Sequence, residues 1–198
     1  MIDHTYKCIL IHIPRCAGTS MEVDINGQNW WNTPGGDKTK HLIASTAKKI
    51  YAEYWNDYFK FSFVRNPWDR MVSMAKYPSY GVKLSKGDIN LGGYFKRFSP
   101  IEVDTRSESG KDKFKPIKNA VYLNILNEEL DFIGKFENLQ EDWAKVCKFI
   151  GKKNCSLIND KKHRSNHNHY TTYYNDKTRE IVQRAYAEDI KRFGYKYK

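Results

Sequence analysis

The chain has 198 residues, enough for one domain with its own hydrophobic core. With 40% hydrophobic and 29% charged residues, and only six prolines and twelve glycines, collagen-like, disordered and low-complexity classes are excluded. The net charge is +11, and 14 basic against 5 acidic residues from Ala144 to Lys198 account for +9 of it, which points to a polyanionic partner: a phosphate-rich cofactor, an acidic glycan, nucleic acid or an anionic membrane.

The first element is Cys8–Ile13, a short isoleucine-rich run that reads as a buried central strand. Pro14 ends it, and the small-residue loop Arg15-Cys16-Ala17-Gly18-Thr19-Ser20 leads into a helix from Met21. Ala44–Tyr58 has helical spacing of Ala47, Ile50, Tyr51, Tyr54 and Tyr58, and Phe59–Val64 reads as a second strand. Asn66 as cap, Pro67 at the first helical position and Asp69 in the first turn predict a helix to about Lys76. Tyr77–Lys115 mixes Gly, Ser, Lys and aromatics and is expected to be a variable insertion or lid. Ile117–Leu126 is expected to be helical and Leu130–Phe136 a third strand, followed by an amphipathic helix over Leu139–Ile150. Asn154–Tyr173 is polar and irregular, and Asp176–Phe193 reads as one last helix.

Strands alternating with helices predict an α/β fold: a single domain over 1–198, three-layer and P-loop-like, with a mostly parallel central sheet flanked by helices. Ligands of such sheets sit at the carboxyl ends of strands, where the loops after Ile13 and Val64 emerge. Cys8, Cys16, Cys147 and Cys155 form no CxxC pair, and free thiols are expected over a local Cys147–Cys155 bridge. Neither a signal peptide nor a transmembrane segment is read, so a cytoplasmic protein is the expectation.

The loop after the first strand has the makings of a phosphate cradle. Gly18 permits close backbone approach, the Thr19 and Ser20 amides and hydroxyls offer donors at a helix start, and Arg15 adds a fixed charge. It is not a Walker A loop, because GxxxxGK[ST] is absent. In the second motif, Phe63–Ser73, Arg65 leaves a strand end and Ser73 lies two turns beyond Asn66 on the same helix side, so both can meet one anion.

Together Ile11–Ser20 and Phe63–Ser73 resemble the two nucleotide-binding motifs of the sulfotransferases, most nearly the carbohydrate branch related to heparan-sulfate 2-O enzymes and its small bacterial and viral counterparts. The likeness continues at Ile133–Leu139, Tyr173–Asp176 and Asp189–Tyr195. It implies that Arg15, Cys16, Ala17, Gly18, Thr19 and Ser20 hold the 5′-phosphosulfate of 3′-phosphoadenosine 5′-phosphosulfate (PAPS), and that Arg65 and Ser73 hold its 3′-phosphate. The two turns would then grip opposite ends of one ligand, releasing adenosine 3′,5′-bisphosphate (PAP) as product. Arg15 stands where the family usually has Lys, and Cys16 where Thr is common. The resemblance also suggests a bacterial or viral source.

His41, between the motifs, matches the base of related carbohydrate sulfotransferases; a surface or helix-capping role is the alternative. The expected acceptor is hydroxylated, a saccharide first, with no specific nucleic-acid partner. No metal is expected. Lys162 and Arg164, with Lys161, are candidates to fold over the nucleotide, against a solvated charge run. His12 reads as a satisfied core residue, His163, His167 and His169 as a solvated loop, and Glu137 as a helix-start carboxylate. Trp30, Trp31, Tyr77 and Tyr80 are either core or sugar-stacking aromatics, to be told apart by exposure. A nucleotide-dependent phosphotransferase and a non-enzymatic binder of polyanions stay open as other readings.

Overall fold

A computed structural model describes residues 1–85, 87–93, 121–157 and 167–198. Their sheet has four strands in the order β1 (Ile2–Asp3), β2 (Cys8–Ile11), β3 (Phe59–Val64) and β4 (Phe132–Lys135). β1 is an antiparallel edge, and β2, β3 and β4 run parallel, which makes the sheet mostly parallel as the alternating pattern predicts. Every residue of β2 is buried, consistent with an unbroken apolar run inside a parallel sheet. Ile11 lies opposite Ser62, whose hydroxyl donates to the Ile11 carbonyl at 2.7 Å, so β2 and β3 end at the same edge of the sheet.

The described residues group into two compact units, Met1–Val64 with Ile125–His163, and Arg65–Asn124 with Arg164–Lys198. The first unit holds the sheet and helices α1 (Gly18–Asn26), α2 (Gly36–Thr39), α3 (Ala44–Ile50) and α4 (Ala52–Trp55). Where one helix is predicted over Ala44–Tyr58, the chain breaks at Tyr51, a buried residue at φ −108° and ψ 29°. On β4, Gly134 faces Phe63 of β3, and a Cβ there would lie 2.4 Å from the Phe63 ring, so only glycine admits that aromatic. The Asp142 carboxylate accepts the Lys135 amide at 2.8 Å and closes the strand end.

The second unit is built round α5 (Pro67–Met74), the short helix α6 (Tyr122–Ile125), which runs one residue past the unit's boundary, and two helices near the chain end. Asn66 caps α5 by accepting the Trp68 and Asp69 amides, with Pro67 in the first turn, as the sequence predicts. In the first unit, the amphipathic helix expected over Leu139–Ile150 is α7 (Leu139–Phe149). The single last helix expected over Asp176–Phe193 is two: α8 (Asp176–Ala185) and α9 (Ala187–Phe193). The break falls at Tyr186, a buried ring whose hydroxyl accepts from Arg70 at 3.1 Å.

Much of the expected lid, residues 86 and 94–115, lies outside the described residues. In the described part, Val82, Ile89 and Leu91 are buried, and Gly87 and Ile89 donate to the Thr172 and Tyr173 carbonyls. One expectation needs correction. Cys147 and Cys155 are joined in a disulfide, because the chain reverses after α7 through Gly151, at φ +71°, and brings Cys155 back beside Cys147. Cys8 and Cys16 are free and buried. Among the described residues no helix is long and apolar enough to cross a membrane.

Candidate active site

In the first unit the turn after β2 is held in an unusual backbone path. Arg15 and Ala17 both adopt left-handed conformations, at φ 68° and 67°, on either side of Cys16. Such positions cost non-glycine residues on the order of 1 kcal/mol each, and strain of this kind clusters at ligand clamps. α1 starts directly after Ala17, which carries no side-chain cap. The Ser20 and Met21 amides bond back to the Ala17 carbonyl at 3.0 and 3.3 Å. The first-turn amides of Gly18 and Thr19 thus form the donor end of a nine-residue helix, a setting suited to an anion.

Of the Thr19 and Ser20 amides expected as donors in this loop, that of Ser20 is turned back to the Ala17 carbonyl. Gly18 also has a more immediate reason to be glycine than close approach to a ligand. A Cβ there would fall 2.4 Å from Cδ2 of His12, so the helix start rests on the imidazole face. Arg15, Ala17, Thr19 and Ser20 are half-buried, while the Cys16 side chain is buried with its thiol directed at the Pro14 carbonyl.

Beneath the turn lies a buried polar network that sequence reasoning missed. Glu22, fully buried on α1, accepts from His12 Nδ1 at 2.6 Å through one oxygen and from Lys40 Nζ at 2.5 Å through the other. Lys40 also donates to Asn29 Oδ1 at 2.5 Å and to the Thr19 hydroxyl at 3.4 Å. Burial opposes ionisation of Glu22, yet His12 and the Lys40 ammonium outweigh it and hold the carboxyl at about 2. Burial pushes His12 below its ordinary value against the pull of Glu22, and pushes Lys40 down as well. His12 is therefore a satisfied core histidine, as expected. One signal for the network was present in the sequence: Glu22 shares a helix face with buried Met21 and Ile25, and an acid on an apolar face needs a partner.

His41 joins the same assembly. Its Nδ1 donates to the His12 backbone carbonyl at 3.0 Å, and the two rings meet edge-on with centroids 4.5 Å apart. A neutral imidazole that donates through Nδ1 presents Nε2 as its acceptor nitrogen, the tautomer a general base requires. Trp31 stands at 5.7 Å from the His41 ring.

In the second unit Arg65 follows directly on β3 and is nearly buried. Its Nε donates to Asp69 Oδ2 at 2.7 Å, one turn along α5, and Tyr122 donates its hydroxyl to the Arg65 carbonyl. Asp69 in turn faces His167 Nε2 at 3.6 Å. His167 is thus packed against Asp69, not solvated as expected for that loop, while His169 is exposed and bonds Thr171. Ser73 is fully buried on α5, two turns from Arg65. Lys161, Lys162, His163 and Arg164 lie outside the described residues. Glu137 is exposed in the short turn Phe136–Asn138 that precedes α7.

Comparison with known proteins assigns the chain to a family. The model of the sulfotransferase family matches residues 1–196. The chain is 27% identical over 209 residues to human carbohydrate sulfotransferase 9, a match that covers 94% of this chain and 44% of that protein. It is 30% identical over 103 residues to an uncharacterized protein of Archaeoglobus fulgidus, covering 52% of this chain and 76% of that one. The chain therefore spans less than half the length of its human relative. No solved structure matches it. The chain belongs to the sulfotransferase family.

Proposed function

We propose that this chain transfers a sulfuryl group from PAPS to a hydroxyl of a saccharide. The observation that supports the reading is that the donor end of α1 and an imidazole donating through Nδ1 are held by one stretch of backbone. The Gly18 and Thr19 amides open α1, and His41 is tied to the His12 carbonyl only two residues ahead of Pro14. Family membership and the likeness to carbohydrate sulfotransferase 9 support the donor and acceptor classes.

In this reading the Pro14–Ser20 turn receives the 5′-phosphosulfate. Arg15 and the helix-end donors neutralise charge as the bond between sulfur and the leaving phosphate oxygen breaks. Arg15 acts by charge rather than as an acid, since a guanidinium does not give up its proton. His41 Nε2 takes the proton of the acceptor hydroxyl while its oxygen bonds to sulfur. Arg65, oriented by Asp69, and Ser73 are assigned to the 3′-phosphate. The buried state of Ser73 means that its hydroxyl would act only after α5 or a neighbouring side chain moves. Lys162 and Arg164 are proposed to close over the nucleotide. A single domain with a lid, located in the cytoplasm, completes the reading.

The test is transfer of radiolabelled sulfate from PAPS to a panel of desulfated saccharides, heparosan and chondroitin among them. Labelled saccharide is the expected product. Binding of ATP–Mg in preference to PAP, with no label transferred, would favour the phosphotransferase reading.

A further inference from the structure

The tandem tryptophans Trp30 and Trp31 have opposite fates although they share one short helical turn, Trp30–Asn32. Trp30 is half-buried, and its indole Nε1 donates to the Thr39 hydroxyl at 2.8 Å. That side chain is satisfied within the fold. Trp31 is 43% exposed. Full burial of a large aromatic is worth roughly 2–3 kcal/mol, so a chain that leaves Trp31 in water forgoes much of that gain. A single exposed apolar side chain is common and by itself means little.

What distinguishes Trp31 is how the backbone of its turn is anchored and what stands beside its ring. Its turn is pinned at its start to the buried network. Asn29 accepts the Trp31 amide at 3.2 Å and is itself held by Lys40 at 2.5 Å, while the Trp30 amide donates to Glu22 at 3.2 Å. The indole lies 5.7 Å from the His41 ring at an interplanar angle of 72°, and the Lys40 ammonium sits 5.6 Å from its centroid. A partly exposed indole on a backbone-anchored turn therefore adjoins the imidazole assigned to take the acceptor's proton. Rigid aromatics bind with little loss of conformational entropy, and their flat apolar faces match the C–H faces of pyranose rings.

We propose that Trp31 is the stacking platform for the sugar ring that bears the accepting hydroxyl. This rests on the sulfotransferase reading and adds to it the residue that selects a pyranose acceptor. A ring seated on the indole brings its own hydroxyls beside His41, whereas a linear or small hydroxylated acceptor gains nothing from the platform. Trp31 binds and orients; it takes no part in proton transfer.

The test uses the full chain with Trp31→Ala, Trp31→Phe and Trp30→Phe, assayed with PAPS and heparosan or chondroitin oligosaccharides, with PAP affinity measured separately. Trp31→Ala is expected to raise the saccharide KM roughly tenfold, equivalent to about 1.4 kcal/mol, while PAP affinity changes less than twofold. Trp31→Phe should recover most of the loss, and Trp30→Phe should lower thermal stability without selectively raising the saccharide KM. An unchanged saccharide KM in Trp31→Ala overturns the proposal, as does an equal loss of PAP and saccharide affinity. Should wild type bind PAP yet neither bind nor sulfate any saccharide, the platform fails and nucleotide binding stands. Should wild type bind no PAP, the underlying sulfotransferase reading fails instead.

Discussion

His41 donates its Nδ1 proton to the backbone carbonyl of His12, 3.0 Å away, and through that bond a side chain from the connection between β2 and β3 is fixed to the residue that follows β2. The same His12 supports Gly18 on its ring and bonds Glu22 beneath. One residue thus ties the candidate base, the helix start and the buried charge network into a single body.

If His41 is the base, His41→Ala should leave PAP affinity within about twofold of wild type and lower turnover by roughly 10²–10⁴-fold. Calorimetry and a radiolabel assay separate the two effects. Unchanged turnover would remove His41 from the mechanism.

Gly18→Ala tests the packing of the turn. The new methyl would sit 2.4 Å from the His12 ring, so the ring or the helix start must move. A loss of about 1–3 kcal/mol in urea unfolding is expected, together with weaker PAP binding. A variant with wild-type stability and affinity would show that the turn does not rest on His12.

The Glu22 network predicts acid sensitivity. Its folded carboxyl stays charged down to about 2, whereas the unfolded group titrates near 4.5, so between those values the unfolded state binds more protons. Stability from Glu22 is fully present above about 4.5 and falls as pH drops toward 2, by on the order of 3 kcal/mol. His12, pushed below its ordinary value by burial, acts in the same direction from pH 6.5 downward. Glu22→Gln should be destabilised at pH 7 by about 3 kcal/mol, because Lys40 keeps a buried charge with no anion beside it. Its unfolding free energy should also depend less on pH between 4.5 and 2 than that of wild type. Parallel pH profiles for the two proteins would contradict the network.

The cysteines give a direct count. Thiol titration of denatured, unreduced protein should find two, Cys8 and Cys16, and four after reduction. In the native state neither should react readily: both are buried, and burial pushes the Cys8 thiol up to about 12. Four thiols before reduction would show that Cys147 and Cys155 are not joined.

Where signals are local, the sequence was legible. The apolar run of β2, the alternation of β3, and the Asn66-Pro67-Asp69 start of α5 each appear where their residues predict. The two helix breaks were not, because the helical spacing of apolar residues runs unbroken through Tyr51 and Tyr186, both of them buried. β1 carries two residues and no pattern to read. The Glu22 network was hidden for a different reason: its partners lie ten and eighteen residues away, and only folding brings them together. Spacing alone likewise could not foresee that Cys147 and Cys155 pair, since the approach depends on the left-handed turn at Gly151. The exposure that separates Trp31 from Trp30 is also a property of the fold.

The measurement closest to the central claim is calorimetric titration of wild type, Arg15→Ala and Arg65→Ala with PAP and with AMP, which lacks the 3′-phosphate. Wild type should prefer PAP by at least about tenfold, Arg65→Ala should lose that preference, and Arg15→Ala should weaken both ligands while keeping it. Equal affinity of wild type for PAP and AMP, or a preference that survives Arg65→Ala, would contradict the assignment of the two phosphate ends.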